Sequence, residues 1–212
     1  MEFKFKSYEN CLSFAVDENY KFVNLSNAFE TDDKSILLRH DIDFSLDHAL
    51  KFAEIEKSLN IQATYFVRTH CRYYNALSYS SKEILNKLES MGHIIGLHFE
   101  EDYYTEENLY ESMQLEKTIL DSLLHNPIKH IAPHEPTRTN RMEYDINRLA
   151  EVGIDFQAYD KKILEKYKYI SDSSGKFKDG FLEEHLVKNK ETYLYVLTHP
   201  VWWYENSPVE RY

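Results

Sequence analysis

The chain has 212 residues, a formal charge of −11 and an isoelectric point near 5.4. That length suits one domain with a sizeable core, and the acidic balance argues against a nucleic-acid or anionic-membrane partner, because such surfaces recruit Lys and Arg. The start, Met1-Glu2-Phe3-Lys4-Phe5-Lys6, is charged from its second residue and leads into no apolar run, so no secretion signal is read there, and no apolar stretch approaches the ~20 residues of a membrane span. Cys11 and Cys71 are too few for a disulfide framework, so a reduced, cytoplasmic setting is expected.

In chain order, a helix around Tyr8–Val16 precedes an alternation of strands and helices. Ile36-Leu37-Leu38 forms the first strand, and Ser45 caps a helix with Leu46, Ala49, Leu50 and Ala53 on one face, stopped by Asn60. Ala63-Thr64-Tyr65-Phe66-Val67 is rich in β-formers, and Ser80 with Glu83 makes a capping box for a helix ending before Gly92. A strand at Ile94–Leu97 leads to an acidic loop. A helix from about Thr105 follows, buried through Leu109, Met113, Ile119, Leu120 and Leu123. Ile128–Ala132 is a short strand, and Asn140 with Glu143 opens a helix that runs to Gly153. Strands near Asp155–Tyr159 and Lys168–Ile170, a short helix near Gly180–Val187 and a strand at Tyr193–Thr198 complete the series. Repeated strand-then-helix implies parallel strands with right-handed crossovers: a single α/β domain built as a distorted (β/α) barrel over 36–200. Residues 1–35 form an N-terminal helical extension and 201–212 an aromatic tail.

Four apolar runs end in ionisable residues: Ile36-Leu37-Leu38 in Arg39-His40-Asp41-Ile42-Asp43, Ile94-Ile95-Gly96-Leu97 in His98, Ile131-Ala132-Pro133 in His134, and Tyr193–Thr198 in His199-Pro200. Charges at buried strand tips are costly unless they meet a cation or share a proton, and in barrels of parallel strands functional groups gather at the C-terminal strand ends. Of Asp41 and Asp43, one suits a metal ion and the other, kept ionised by that cation, suits proton transfer from water. His98 is a candidate ligand, and Asp102, four residues on, converges on the same ion if the turn between them is helical. His134, held between two prolines, is a candidate ligand, transition-state stabiliser or supporting partner. His199 is placed as a general acid. Arg39 and His40 support the aspartates from behind, His40 being the better placed. His93 reads as structural, and His48, His125, His130 and His185 as surface residues. Loop aromatics, among them Tyr74, Trp202 and Trp203, are candidates for stacking on a sugar ring, or form a packed lid.

From Ile36 to Pro200 the motifs and their order resemble the polysaccharide deacetylase (NodB-homology) family of metal-dependent carbohydrate esterases and amidases. Arg39-His40-Asp41-Ile42-Asp43 is similar to that family's T-F-D-D-G motif, Ala63–Val67 to its A-T-F-F-V strand, Gly92–His98 to its G-H-E-I-G-N-H segment and Leu197-Thr198-His199 to its L-x-H motif. The Arg39–Asp47 start and His199-Pro200-Val201-Trp202-Trp203 resemble most a divergent branch associated with cell-surface polysaccharide biosynthesis. The resemblance implies a metal-dependent hydrolase that removes an acyl group from an amino sugar or a sugar-containing intermediate. Asp41 would be the base, Asp43 and His98 metal ligands, and His199 the acid. The implied cofactor is a divalent ion, zinc first, with manganese, nickel, cobalt or iron as alternatives. Two positions depart from the pattern: Asp102 stands where the family has its second metal histidine, and His134-Glu135-Pro136 stands at its R-x-P motif. Asp102 and His134 therefore compete for the third ligand position. The alternatives are a carbohydrate-binding barrel without catalysis and an amidohydrolase acting on a small non-sugar amide.

Overall fold

The computed structural model describes residues 2–189 and 191–207. Its elements run α1 (Phe5–Asp17), β1 (Lys21–Val23), β2 (Ser35–Ile42), α2 (Leu46–Ser58), β3 (Thr64–Val67), α3 (Tyr79–Ser90), β4 (Ile94–Phe99), α4 (Leu109–Asp121), β5 (His130–Pro133), α5 (Pro136–Thr139), α6 (Ile146–Glu151), β6 (Phe156–Gln157), α7 (Lys161–Lys166), β7 (Lys168–Ser171) and β8 (Tyr193–Thr198). One eight-stranded sheet follows the order β6-β5-β4-β3-β2-β8-β7, with β1 paired to β2 off this path, every pairing parallel. β6 and β7 stand at its two ends, so the barrel is distorted and incompletely closed.

Strand alternation assigns the residues of β2 to two faces. Leu37 joins Phe66, Ala132, Ala158, Tyr159 and Tyr195 in a core on the concave side. Ile36, Leu38 and Ile42 join a larger core beneath α1, α2, α3 and α4. Arg39 and Asp41 therefore point into the concave side and His40 toward the helices. All eight residues of β2 are buried, its ionisable ones included. Gly96 is needed on β4 because a Cβ there would lie 2.6 Å from the Phe66 ring and 3.0 Å from the His130 carbonyl oxygen.

The α2 prediction matches closely: the Ser45 side chain accepts from the His48 N–H, and Asn60 ends the helical region in the left-handed conformation at φ 57°. Elsewhere the structure corrects the expected boundaries. Residues 1–35 are no mere extension, since β1 pairs with β2 from Lys21↔Ser35 to Val23↔Leu37 and α1 packs in the main core. The cap of α3 is Ser78, whose Oγ accepts from Ser81 N, so Ser80 lies inside the helix. The helix expected from Asn140 begins only at Ile146, where the Asp145 carboxylate accepts from two backbone N–H groups. The strand near Asp155–Tyr159 shrinks to Phe156–Gln157. His130 and His185 are buried, not surface residues. The aromatic tail is anchored as far as Tyr204, which bridges to Lys4; its last residues, 208–212, lie outside the described residues. Among the described residues no helix is long and apolar enough to cross a membrane.

Candidate active site

The C-terminal ends of β2, β4, β5 and β8 surround a cavity of about 790 Å³, within the size range of small-molecule sites. Asp41, Asp43, His98, His134 and His199 all line it. Parallel register explains the convergence: Asp41 is level with Phe66 on β3, His98 with Ala132 on β5, and His40 with Thr198 on β8, one residue before His199.

Asp43, His98 and His134 each present one ligand atom, and the three atoms lie within 4.8 Å of one another. Asp43 Oδ1 is 3.3 Å from His98 Nε2 and 3.6 Å from His134 Nε2. Ligand atoms held ~2.0–2.1 Å from a tetrahedral ion lie about 3.3 Å apart, so the spacing suits zinc or a similar divalent ion. Other details fit the same donor set. Asp43 Oδ1 is buried without a hydrogen-bond partner, an orphan that a cation would satisfy. His98 Nδ1–H donates to the Ala132 carbonyl at 3.0 Å, which leaves Nε2 unprotonated and facing the carboxylates. Burial, with His98 and Arg68 nearby, lowers the His134 imidazole below its ordinary value, keeping it neutral as a ligand must be. Burial alone would raise Asp43, yet the imidazoles around it, His98 first and then His199 and His134, hold it well below the usual carboxylate range.

Asp102 stands elsewhere. It lies on a one-turn helix after β4, paired with the Arg138 guanidinium, and is absent from the cluster. The turn that follows His98 sends Glu100, not Asp102, toward the site: Glu100 pairs with Arg68, and its Oε1 is 3.5 Å from His134 Nδ1. Of the two competitors, His134 from β5 is the one placed beside Asp43 and His98.

The support of Asp41 also differs from expectation. Arg39, fully buried, grips Asp41 with both arms, Nε to Oδ1 and Nη2 to Oδ2, each at 2.8 Å. Burial pushes Asp41 up, but Arg39, His98 and His199 outweigh it and hold the carboxyl below its ordinary value. His40, expected as the better supporter, faces the opposite side, between Thr198 and Glu56. Arg39 therefore takes the part assigned to it.

His199 Nε2 lies 3.7 Å from Asp43 Oδ2, and its Nδ1 is 2.7 Å from Asp172 Oδ1, which also accepts from the His199 backbone N–H. Burial would lower this imidazole, but the hydrogen bond and charge of Asp172, with Asp43 and Asp41 behind, raise it to about 9. Asp172 escaped the sequence reading although its signal was present: the strand through Tyr169-Ile170 runs into an ionisable residue just as the other four runs do. Glu100 was hidden among the neighbouring acids of its loop.

The three aromatic candidates separate. Trp202 lines the cavity. Trp203 is buried, and its Nε1–H donates to Asp172 Oδ2 at 2.9 Å. Tyr74 is buried at its hydroxyl, which accepts from Arg68 N and donates to the Ile42 carbonyl. The last two hold the site's frame and do not face the cavity.

A parallel-stranded distorted barrel with an Asp/His constellation at its strand tips defines the class. Among solved structures, a family 4 carbohydrate esterase from Bacillus anthracis matches with a TM-score of 0.52 and 18% identity, over 89% of this chain and 77% of that one. The chitin deacetylase from the fungal pathogen Colletotrichum lindemuthianum matches with a TM-score of 0.52 and 17% identity, over 85% and 80%. A family 4 pseudoenzyme from Bacillus anthracis matches with a TM-score of 0.53 and 11% identity, over 85% of this chain and 58% of that one. No protein-family model and no curated protein matches the chain. The chain thus has the fold of the family 4 carbohydrate esterases, as the resemblance of its motifs implied.

Proposed function

We propose that the protein is a metal-dependent hydrolase that removes an acyl group, N-acetyl in the first instance, from an amino sugar or a sugar-containing intermediate. The observation that carries this reading is the meeting of Asp43, His98 and His134 around one point, with Asp41 Oδ2 3.4 Å from His98 Nε2 and His199 on the facing side. Asp43, His98 and His134 would hold the ion. Bound there, a divalent ion supplies Lewis-acid polarisation of the acyl carbonyl and makes water more acidic. Asp41 accepts the proton of the attacking water. Held below the ordinary carboxylate range by Arg39, Asp41 is a weak base, suited to a water that a cation has already acidified. His199, kept protonated by Asp172, gives its proton to the departing amine, and Trp202 offers a face for the sugar ring.

The pseudoenzyme with this fold keeps a second reading in play, a carbohydrate-binding barrel without turnover. The charged constellation favours the enzyme, because a binding cavity has no need of an orphaned Asp43 oxygen beside two histidines. Neither Cys11, in the core, nor Cys71 forms a disulfide among the described residues, which agrees with a cytoplasmic enzyme acting on a biosynthetic precursor. The test is to load purified protein with zinc, manganese, nickel, cobalt or iron and measure acetate released from N-acetylated sugars, with thermal stability as the report of binding. Stabilisation by a metal together with acetate release is expected. Stabilisation without any release would favour the binding barrel.

A further inference from the structure

The cavity is unevenly charged in a way the deacetylase reading leaves unused. Its carboxylates have cationic counterparts: Asp41 has Arg39, Asp43 has the histidines, and Glu135 has Arg138, whose guanidinium is shared with Asp102 and lies 3.7 Å from Glu100. Lys178, on the wall formed by the segment after β7, has neither a carboxylate nor any other polar partner among the described residues. The same wall carries the Ser174 hydroxyl, likewise unengaged. Beside it the Trp202 indole packs over Gly175, a glycine at φ +68°, with its Nε1–H buried and lacking an acceptor. An exposed cation and hydroxyl with no protein partner and a buried N–H without an acceptor thus border one wall of a cavity in a protein of net charge −11. Lys178 and Ser174 are exposed and open to water, whereas the buried Trp202 N–H is a costly orphan; an anion in the cavity satisfies that N–H and meets the cation that has no carboxylate.

Position adds the second half of the argument. This wall belongs to the segment that also supplies Asp172, the partner of His199. If His199 protonates the departing amine, the sugar lies on its side of the cavity. The wall of Glu135 and Arg138, where the two charges pair, is built from a separate segment, after β5.

We propose that the substrate's sugar carries an anionic group, a phosphate or a carboxylate, received by Lys178, Ser174 and the Trp202 N–H. This rests on the deacetylase reading for the side on which the sugar lies, but its test measures binding alone. Zinc-loaded protein is titrated calorimetrically with glucose, glucose 1-phosphate and glucuronate. At least one anion binds about tenfold or more tightly than glucose, and Lys178→Gln brings the preference to within about threefold while Lys178→Arg preserves most of it. A preference for glucose 1-phosphate over glucuronate assigns the group as phosphate, and the reverse as carboxylate. An anion preference that survives Lys178→Gln overturns the proposal, since the anion then sits on the metal. Equal binding of all three ligands, or binding of none, overturns it as well. Acetate release, measured separately, decides the deacetylase reading whatever the titrations give.

Discussion

Strand β2 separates two buried ionisable clusters that differ in completeness. On its helix side, Glu56 is fully occupied: Oε1 accepts from Tyr8 at 2.5 Å and from His40 Nε2 at 2.7 Å, and Oε2 accepts from Tyr65 at 2.6 Å with His93 Nδ1 at 3.5 Å. With Nε2 donating, His40 Nδ1 accepts from the Thr198 hydroxyl at 2.7 Å. The cluster ties α1, α2, β2, β3 and β8 together, is buried, and contributes none of its members to the active-site cavity. On the concave side, Asp43 Oδ1 and His134 Nδ1 are left unsatisfied and the cavity opens onto them. A polar network closed on itself stabilises and orients a fold; one left incomplete keeps capacity for a ligand.

The sharpest way to break this contrast is to remove a member of the incomplete side. Asp43→Asn or His98→Ala is expected to abolish metal binding and lower turnover by ~10³-fold or more, with little loss of thermal stability in the metal-free protein. Asp41→Asn should lower kcat by about 10²–10⁴-fold with metal still bound, and it should also destabilise the protein, since it leaves Arg39 buried without its anion. Metal content and unfolding are measured on each variant. Wild-type turnover in Asp41→Asn would remove the base, and full metal occupancy in Asp43→Asn would displace the site.

Removing the centre of the closed side reverses the signature. Glu56→Ala leaves His40, Tyr8 and Tyr65 without their common acceptor and should cost about 3–5 kcal/mol of stability. Metal affinity of the protein that remains folded should stay within a few-fold of wild type. Denaturant unfolding and metal titration give the two numbers. A stability unchanged within about 0.5 kcal/mol would mean that the cluster is not the brace its geometry describes.

Legibility in the sequence followed periodicity and strand tips. The parallel α/β architecture, the strands from Ile36, Ile94 and Tyr193 and the Ser45 cap were readable, because alternating apolar runs and local capping chemistry are short-range signals. Asp41, Asp43, His98, His134 and His199 were readable because each closes an apolar run. Which residue supports which was not. Arg39 and His40 are adjacent in sequence, and only the pleat, fixed by pairing with β3 and β8, decides that one faces Asp41 and the other Glu56. Asp102 drew attention by its spacing from His98, but the backbone turns after Phe99 and delivers Glu100 instead. Trp203 and Tyr74 looked like loop aromatics because nothing local records that their polar tips are bonded to Asp172, Arg68 and Ile42.

A smaller, pH-resolved effect separates His199 from the histidines of the closed cluster. Its folded value of about 9 lies above the ordinary 6.5. The stabilisation from its contact with Asp172 is therefore fully present below pH 6.5 and is lost as pH rises through about 9. If His199 is the acid, activity falls on the alkaline side as that proton leaves. Asp172→Asn removes the principal support of the imidazolium, so the alkaline limb should move to lower pH by at least about one unit, with kcat reduced by ~10-fold or more. A limb at the same pH in both proteins would assign it to another group.

The smallest expected effect tests whether an aromatic near the site serves the ligand or the frame. Tyr74→Phe keeps the ring and deletes a hydroxyl that bonds two backbone groups flanking the cavity floor, so it should cost about 1 kcal/mol of stability. Its KM should stay within about twofold, since no part of Tyr74 lines the cavity. Trp202→Ala is the matching variant: it removes a cavity wall and should raise KM several-fold, by about 0.5–1.5 kcal/mol of ring contact. Steady-state kinetics on the pair, with unfolding curves beside them, decide the assignment. A large KM change in Tyr74→Phe with none in Trp202→Ala would move the sugar from the Trp202 wall to the loop after β3.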